Sequence, residues 1–280
     1  MLSIITPYDR ANEPHGAKII IVGPHGIGKT SLVRDLDVHS TLFVDIEAGT
    51  LSIRDVGVDI VRPQSWPECR DLVVRLGGVD PAAPVNGIYS AEHLQQVGGL
   101  LDGAAKYHTV VIDSISAVSR LAMQWAELQP EAYSDRTGKK DIRGAYGLLA
   151  HELVRWIERI QHLRDRNVIL NAVLELRRED NGFAEWRPQI EGAKTVREAL
   201  AIVDEVISMV WYDFGDGKPV RAFITTSPNQ WGYPGKDRSG KLDSIEEPNL
   251  AKLLTKLNGK GSKGNGKLDD NLDVVQQTGA

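Results

Sequence analysis

The apolar run from Ala17 to Val22 leads without a break into Gly23-Pro24-His25-Gly26-Ile27-Gly28-Lys29-Thr30. Its spacing, G-x-x-x-x-G-K-[ST], is that of a phosphate-binding loop. Such a loop needs a strand to deliver the chain and a helix to carry it away, because its backbone N–H groups must converge on an anion at the helix's positive end. Ser31 to Asp37 is expected to begin that helix. At ordinary Gly, Lys, Ser and Thr usage the pattern arises by chance in a chain this long on the order of 1% of the time. Lys29 would reach the β- and γ-phosphates of ATP, and the Thr30 hydroxyl would ligate Mg2+. Pro24 has no N–H, so donation falls to the residues after it, with His25 as loop filler.

Strand-like runs rich in Val, Ile and Phe occur at Ala17 to Val22, Thr41 to Ile46, Thr109 to Asp113, Val168 to Leu174, Val206 to Tyr212 and Val220 to Thr226. Helical patterns lie between several of them. In Ala145 to Asp165, residues Leu149, Leu153, Trp156, Ile160 and Leu163 recur at steps of four and three and form one apolar stripe. Such alternation, with strands that are apolar almost throughout, predicts an α/β fold: a mostly parallel central sheet with helices on both faces. Pro81 to Gly87, with its Pro and Gly, reads as a loop inside that domain. Residues 1–16 read as an N-terminal arm and 17–257 as the core. From Asn258 to 280 a flexible Gly/Lys-rich linker ends in a short acidic tail.

The chain is 280 residues long, with 41% apolar and 25% charged content, enough for a substantial soluble core. No stretch approaches a membrane span and the N-terminus lacks a signal-like pattern, so the protein is expected to be cytoplasmic. The single cysteine, Cys69, rules out an intrachain disulfide. A net charge of −5 argues against coating nucleic acid through global charge, leaving only local basic loops.

Two further strands end in acids. Thr109-Val-Val-Ile-Asp113-Ser114 has the Walker B form and brings Asp113 to the metal beside Thr30. Leu42-Phe-Val-Asp45-Ile-Glu47 ends a neighbouring strand, and parallel strands end on one edge. From spacing alone Glu47 reads either as a group that polarises water or as a helix-start cap.

Taken together, these residues resemble the RecA-like P-loop ATPases. The loop has the G-P-x-x-x-G-K-T form, the second strand carries D-x-E, and the Walker B strand runs into Asp-Ser. Within that superfamily the chain looks most like the small phage-encoded RecA-core proteins of single-strand annealing and recombination, often described as AAA-type ATP-binding proteins. The resemblance covers roughly residues 17 to 257 and makes Glu47 the catalytic base. It implies a nucleotide site formed by Gly23, Pro24, His25, Gly26, Ile27, Gly28, Lys29, Thr30, Ser31 and Asp113, with Thr30 and Asp113 on Mg2+. It also implies assembly into a ring or filament with ATP between subunits. The Lys236-x-Arg238 pair would then reach a neighbour's γ-phosphate as catalytic cations, although without the resemblance it reads as a solvated hairpin. One departure is the strand after Val168, where relatives carry a His or Gln sensor and this chain has Asn171 and Glu175.

The resemblance further implies single-stranded DNA as partner, held by two segments, 129–147 and 177–195. The first supplies Lys139, Lys140 and Arg143, and the second Arg177, Arg178, Trp186, Arg187 and Lys194, with Phe183 among the second segment's aromatics. Cations interleaved with aromatics suit phosphates and bases. Both segments hold nearly as many acids as cations, so neither is basic in net terms. The expected activity is ATP-dependent annealing or pairing of single strands, with a single-strand-binding protein as a further partner. The rivals are a nucleotide-gated oligomeric scaffold and a P-loop small-molecule kinase.

Overall fold

The computed structural model describes residues 4–134, 136–178, 182 and 184–259. Among these, strands β1 (Lys18–Gly23), β2 (Thr41–Asp45), β3 (Asp59–Val61), β4 (Thr109–Asp113), β5 (Asn167–Arg178), β6 (Ala184–Pro188), β7 (Glu205–Tyr212), β8 (Val220–Ile224), β9 (Lys236–Asp237) and β10 (Ile245–Glu246) form one sheet. Its order is β10-β8-β7-β1-β5-β4-β2-β3, with β6 on β5 and β9 on β7. From β7 to β3 every pairing is parallel, whereas β8, β9, β10 and β6 pair antiparallel. The mostly parallel α/β fold read from the sequence is thus observed.

The central strands are mostly apolar because both faces are covered, and alternate residues divide between two cores. Ile20, Val22, Val44, Ile112 and Leu170 face α2 (Trp66–Arg75), α4 (Ile115–Ala126), α5 (Ile142–Gln161) and α6 (Ala193–Ile202). Ile19, Ile21, Phe43, Val111, Ile169 and Ile207 face the other side, where Ile27, Leu32, Ile53 and α7 (Leu250–Asn258) cover them. Short helices α1 (Pro7–Asn12), in the arm, and α3 (Ala91–Gln96) complete the set.

Helix α5 begins three residues before the sequence pattern suggests, because Asp141 Oδ1 accepts the Arg143 N–H at 3.0 Å and caps it. Its stripe of Leu149, Leu153, Trp156 and Ile160 is at most 1% exposed. Trp156 Nε1 also donates to the Cys69 carbonyl at 3.0 Å, which satisfies the indole inside the core.

The segment after the phosphate-binding loop departs from expectation. A short 3-10 turn, Thr30–Asp35, replaces the start of an α-helix. Leu36 turns extended, and the Asp37 carboxylate takes the His39 N–H and the Ser40 hydroxyl, so it nucleates a new turn instead of continuing the helix. The second predicted DNA segment is likewise no open loop: β5 continues to Arg178 and pairs back on β6. Of the expected tail, Asn258 and Gly259 close α7 and residues 260–280 lie outside the described residues, as does Phe183.

Candidate nucleotide site

Because β1, β2, β4 and β5 run parallel, their C-terminal ends meet on one edge. A cavity of about 280 Å³ lies there, lined by His25, Gly26, Gly28, Lys29, Thr30, Ser31, Asp45, Glu47, Asp113 and Ser114, among others. Gly23 ends β1 against β7, where an added Cβ would come within 2.9 Å of the Met209 carbonyl. Gly26 (φ 73°) and Gly28 (φ 102°) take left-handed conformations that a side chain would strain. Ile27 is buried in the core and anchors the loop from beneath. Pro24 and His25 are exposed at its tip.

The Lys29 ammonium donates to the carbonyls of Gly23 at 2.7 Å and Pro24 at 3.0 Å. Burial pulls its pKa down, partly offset by the carboxylates of Asp113 and Glu47. The Thr30 hydroxyl donates to Asp113 Oδ2 at 2.5 Å. Burial pushes the Asp113 carboxyl above the usual range, against the Thr30 hydrogen bond that lowers it. A hydroxyl and a half-buried carboxylate touching each other beside a glycine loop form the hard-oxygen donor set that Mg2+ takes. Next to them, the buried Asn171 pairs in register with Asp113, and its amide also lowers that carboxyl's pKa, against the larger effect of burial. These residues fit Mg2+ and a nucleotide polyphosphate.

Glu47 lies across this cavity, held by the Ser114 hydroxyl, which donates to Oε1 at 2.8 Å, and by Arg120 Nη2 at 3.3 Å. Ser114 is also the N-cap of α4, accepting the Ala117 N–H, so the helix start positions the glutamate. Asp45 is engaged otherwise: its carboxylate accepts the Gly49 N–H at 3.0 Å and pairs with Arg62 at 2.8 Å. It fixes the turn on which Glu47 stands. Arg62 and Arg120 escape a sequence reading because only the fold brings them here; Ser114 had a local signal in the Asp-Ser pair.

The late cations lie elsewhere. Lys236 pairs with Val206, which is level with Ile20 of β1, three residues before the strand's loop end at Gly23. Its ammonium donates to the carbonyls of Leu200, Ala201 and Val203 at 3.0, 2.8 and 2.7 Å. Arg238 binds the Ala201 carbonyl at 2.8 Å and Asp204 at 3.1 Å. Within the chain both cap the C-terminal end of α6, where exposed carbonyls and the helix dipole favour positive charge.

The two segments expected to hold DNA do meet. A cleft of about 500 Å³ is lined by Tyr146 and Gly147 of α5 together with Arg177, Arg187, Lys194, Glu175 and Glu191. Arg187 is paired with Glu175 at 3.0 Å. Lys139, Lys140, Arg143 and Arg178 stand exposed outside the cleft, and Lys140 lies 3.9 Å from Glu127. Trp186 is half-buried against Tyr233, with ring centroids 5.5 Å apart. Among the described residues no helix is long and apolar enough to cross a membrane.

No curated protein matches the chain. A solved structure of a prototypical ATPase from the type III secretion system of pathogenic bacteria is similar at 13% identity and a TM-score of 0.36. The similarity spans 70% of this chain and 51% of that one, so this chain covers about half of that protein's length. Residues 15–239 match the family described as AAA domain, and the chain belongs to that family of P-loop ATPase domains.

Proposed function

We propose that the protein is a Mg2+-dependent ATPase that couples nucleotide turnover to single-stranded DNA. The observation that carries the ATPase part is the convergence in one cavity of Lys29, the Thr30–Asp113 pair at 2.5 Å and Glu47 on the Ser114 hydroxyl at 2.8 Å. Thr30 and Asp113 would hold Mg2+, which when bound neutralises charge on the phosphates. The chain's own groups supply the rest. Loop amides and Lys29 bind the polyphosphate, Lys29 after releasing the Gly23 and Pro24 carbonyls. Glu47 accepts a proton from the attacking water, and Ser114 and Arg120 orient its carboxylate.

The DNA part is supported by the sequence resemblance and by the cleft that joins Tyr146 to Arg177, Arg187 and Lys194. Cations beside an exposed aromatic ring suit a phosphate backbone with stacked bases. Assembly of copies into a ring or filament belongs to the same reading. Lys236 and Arg238 enter it as the caps of α6, since reaching a neighbour would require giving up their carbonyl and carboxylate contacts.

ATP hydrolysis with and without single-stranded DNA, at low and moderate salt, tests the proposal with Lys29→Ala as the blank. Stimulation by DNA that weakens with salt is the expected result. Turnover indifferent to DNA, with no salt-sensitive DNA binding, overturns the DNA part. Wild-type turnover no greater than that of Lys29→Ala overturns the ATPase part and favours the nucleotide-gated scaffold.

A further inference from the structure

On β7 alternate side chains fall on opposite faces, and Ile207 and Met209 lie in the same core as Ile27 of the phosphate-binding loop. Trp211 follows on that face. The antiparallel strand β8 sets Phe223 opposite Met209 and Arg221 opposite Trp211. These are two rungs of one ladder. The inner rung, Met209 and Phe223, is fully buried, while the outer rung emerges from the core at the loop's rim. Trp211 is 62% exposed there, a large apolar surface left in water.

Arg221 lies against the loop itself. Its Nη1 donates to the Ile27 carbonyl at 3.4 Å and would stand 2.5 Å from a Cβ placed on Gly28. Among the described residues it forms no ion pair, whereas Arg34, Arg62, Arg120 and Arg187 each have a carboxylate. A guanidinium without an acid, beside an indole without a cover, is complementary to a ligand that is anionic at one end and flat and apolar at the other.

We propose that Trp211 and Arg221 form the base-side wall of the nucleotide site, Arg221 on the phosphates and Trp211 stacked on the base. This rests on the ATP-binding reading above and deepens it. Stacking uses the π-face that every base has, and larger bases cover more of an indole. The site therefore prefers purine over pyrimidine triphosphates and separates ATP from GTP poorly.

The test is calorimetric titration of the full chain with ATP, GTP, CTP and inorganic triphosphate, each with Mg2+, alongside tryptophan fluorescence. The variants are Trp211→Ala, Arg221→Gln, Arg221→Lys and Lys29→Ala. Trp211→Ala is expected to weaken ATP about tenfold, to leave inorganic triphosphate unchanged and to abolish fluorescence quenching by ATP. Arg221→Gln should weaken ATP and inorganic triphosphate alike by about tenfold, and Arg221→Lys should recover most of the loss. If the wild type binds ATP and Trp211→Ala and Arg221→Gln bind it equally well, the wall is wrong and the ATP reading stands. A melting temperature for Arg221→Gln more than about 8 °C below the wild type would reassign Arg221 to propping the loop. If the wild type binds ATP no better than Lys29→Ala, the ATP reading fails and takes this inference with it.

Discussion

Replacing Glu47 with Gln separates catalysis from folding, because the structure specifies what the change removes. Gln retains an oxygen that accepts the Ser114 hydroxyl, so the 2.8 Å bond to the cap of α4 survives. What is lost is the ion pair with Arg120, at 3.3 Å between side chains 47% and 45% exposed. A pair that open to water contributes about 0–1 kcal/mol. In a domain of this size such a loss lowers the melting temperature by no more than about 4 °C. Nucleotide affinity should change little, since Lys29, Thr30 and Asp113 are untouched. Turnover should fall by roughly 10²–10⁴-fold, the usual contribution of a positioned general base. Phosphate release, nucleotide titration and thermal melting on one preparation give all three numbers. Turnover within about threefold of wild type would remove Glu47 from the chemistry, and a melting temperature lowered by about 8 °C or more would make it a structural residue.

Other changes test the frame around the site. Lys236→Ala strips the cation from three carbonyls at the end of α6 and should cost about 2 kcal/mol of stability with ATP affinity intact; unchanged stability with lost turnover in the assembled protein would support the trans role instead. Leu153→Ala empties a fully buried position on α5 and should cost about 2–5 kcal/mol in urea denaturation, with a loss under about 1 kcal/mol refuting the packing. Glu205, buried at the start of β7 beside Asp237, has its carboxyl pushed up to about 8, first by burial and then by that acid. A raised carboxyl favours the protonated folded state, so its contribution is full below about pH 4.5 and is lost as pH rises through about 8. Denaturation midpoints at pH 5.5, 6.5 and 7.5 should therefore fall in the wild type and stay flatter in Glu205→Gln. Lys18, lowered to about 8 chiefly by burial, acts only above that window and in the opposite direction.

The strands most legible in the sequence are those buried on both faces, such as β1 and β4, where nearly every interior position is apolar. The elements it hid are products of pairing. β3 is three residues with Ile60 partly exposed, β9 and β10 are two residues each, and β6 exists because β5 has an edge to offer. Lys29, Thr30 and Asp113 were readable because a strand end and a loop fix them locally. Arg120 was not, since its meeting with Glu47 depends on the direction in which α4 leaves Ser114. The Lys236-x-Arg238 spacing was visible, yet nothing in it announces the end of α6 that both cations cap.

The six-residue 3-10 turn after Thr30 changes the electrostatic origin of the anion site. A long α-helix would aim many aligned peptide dipoles at the phosphates, a field built into backbone that no titration or substitution removes. Here that contribution is short and poorly aligned, so more of the attractive potential has to come from side-chain cations at the rim. Side-chain charge near solvent is screened over a Debye length of about 8 Å at physiological ionic strength. Nucleotide affinity is therefore expected to fall with rising ionic strength, as the screening of exposed side-chain charge dictates.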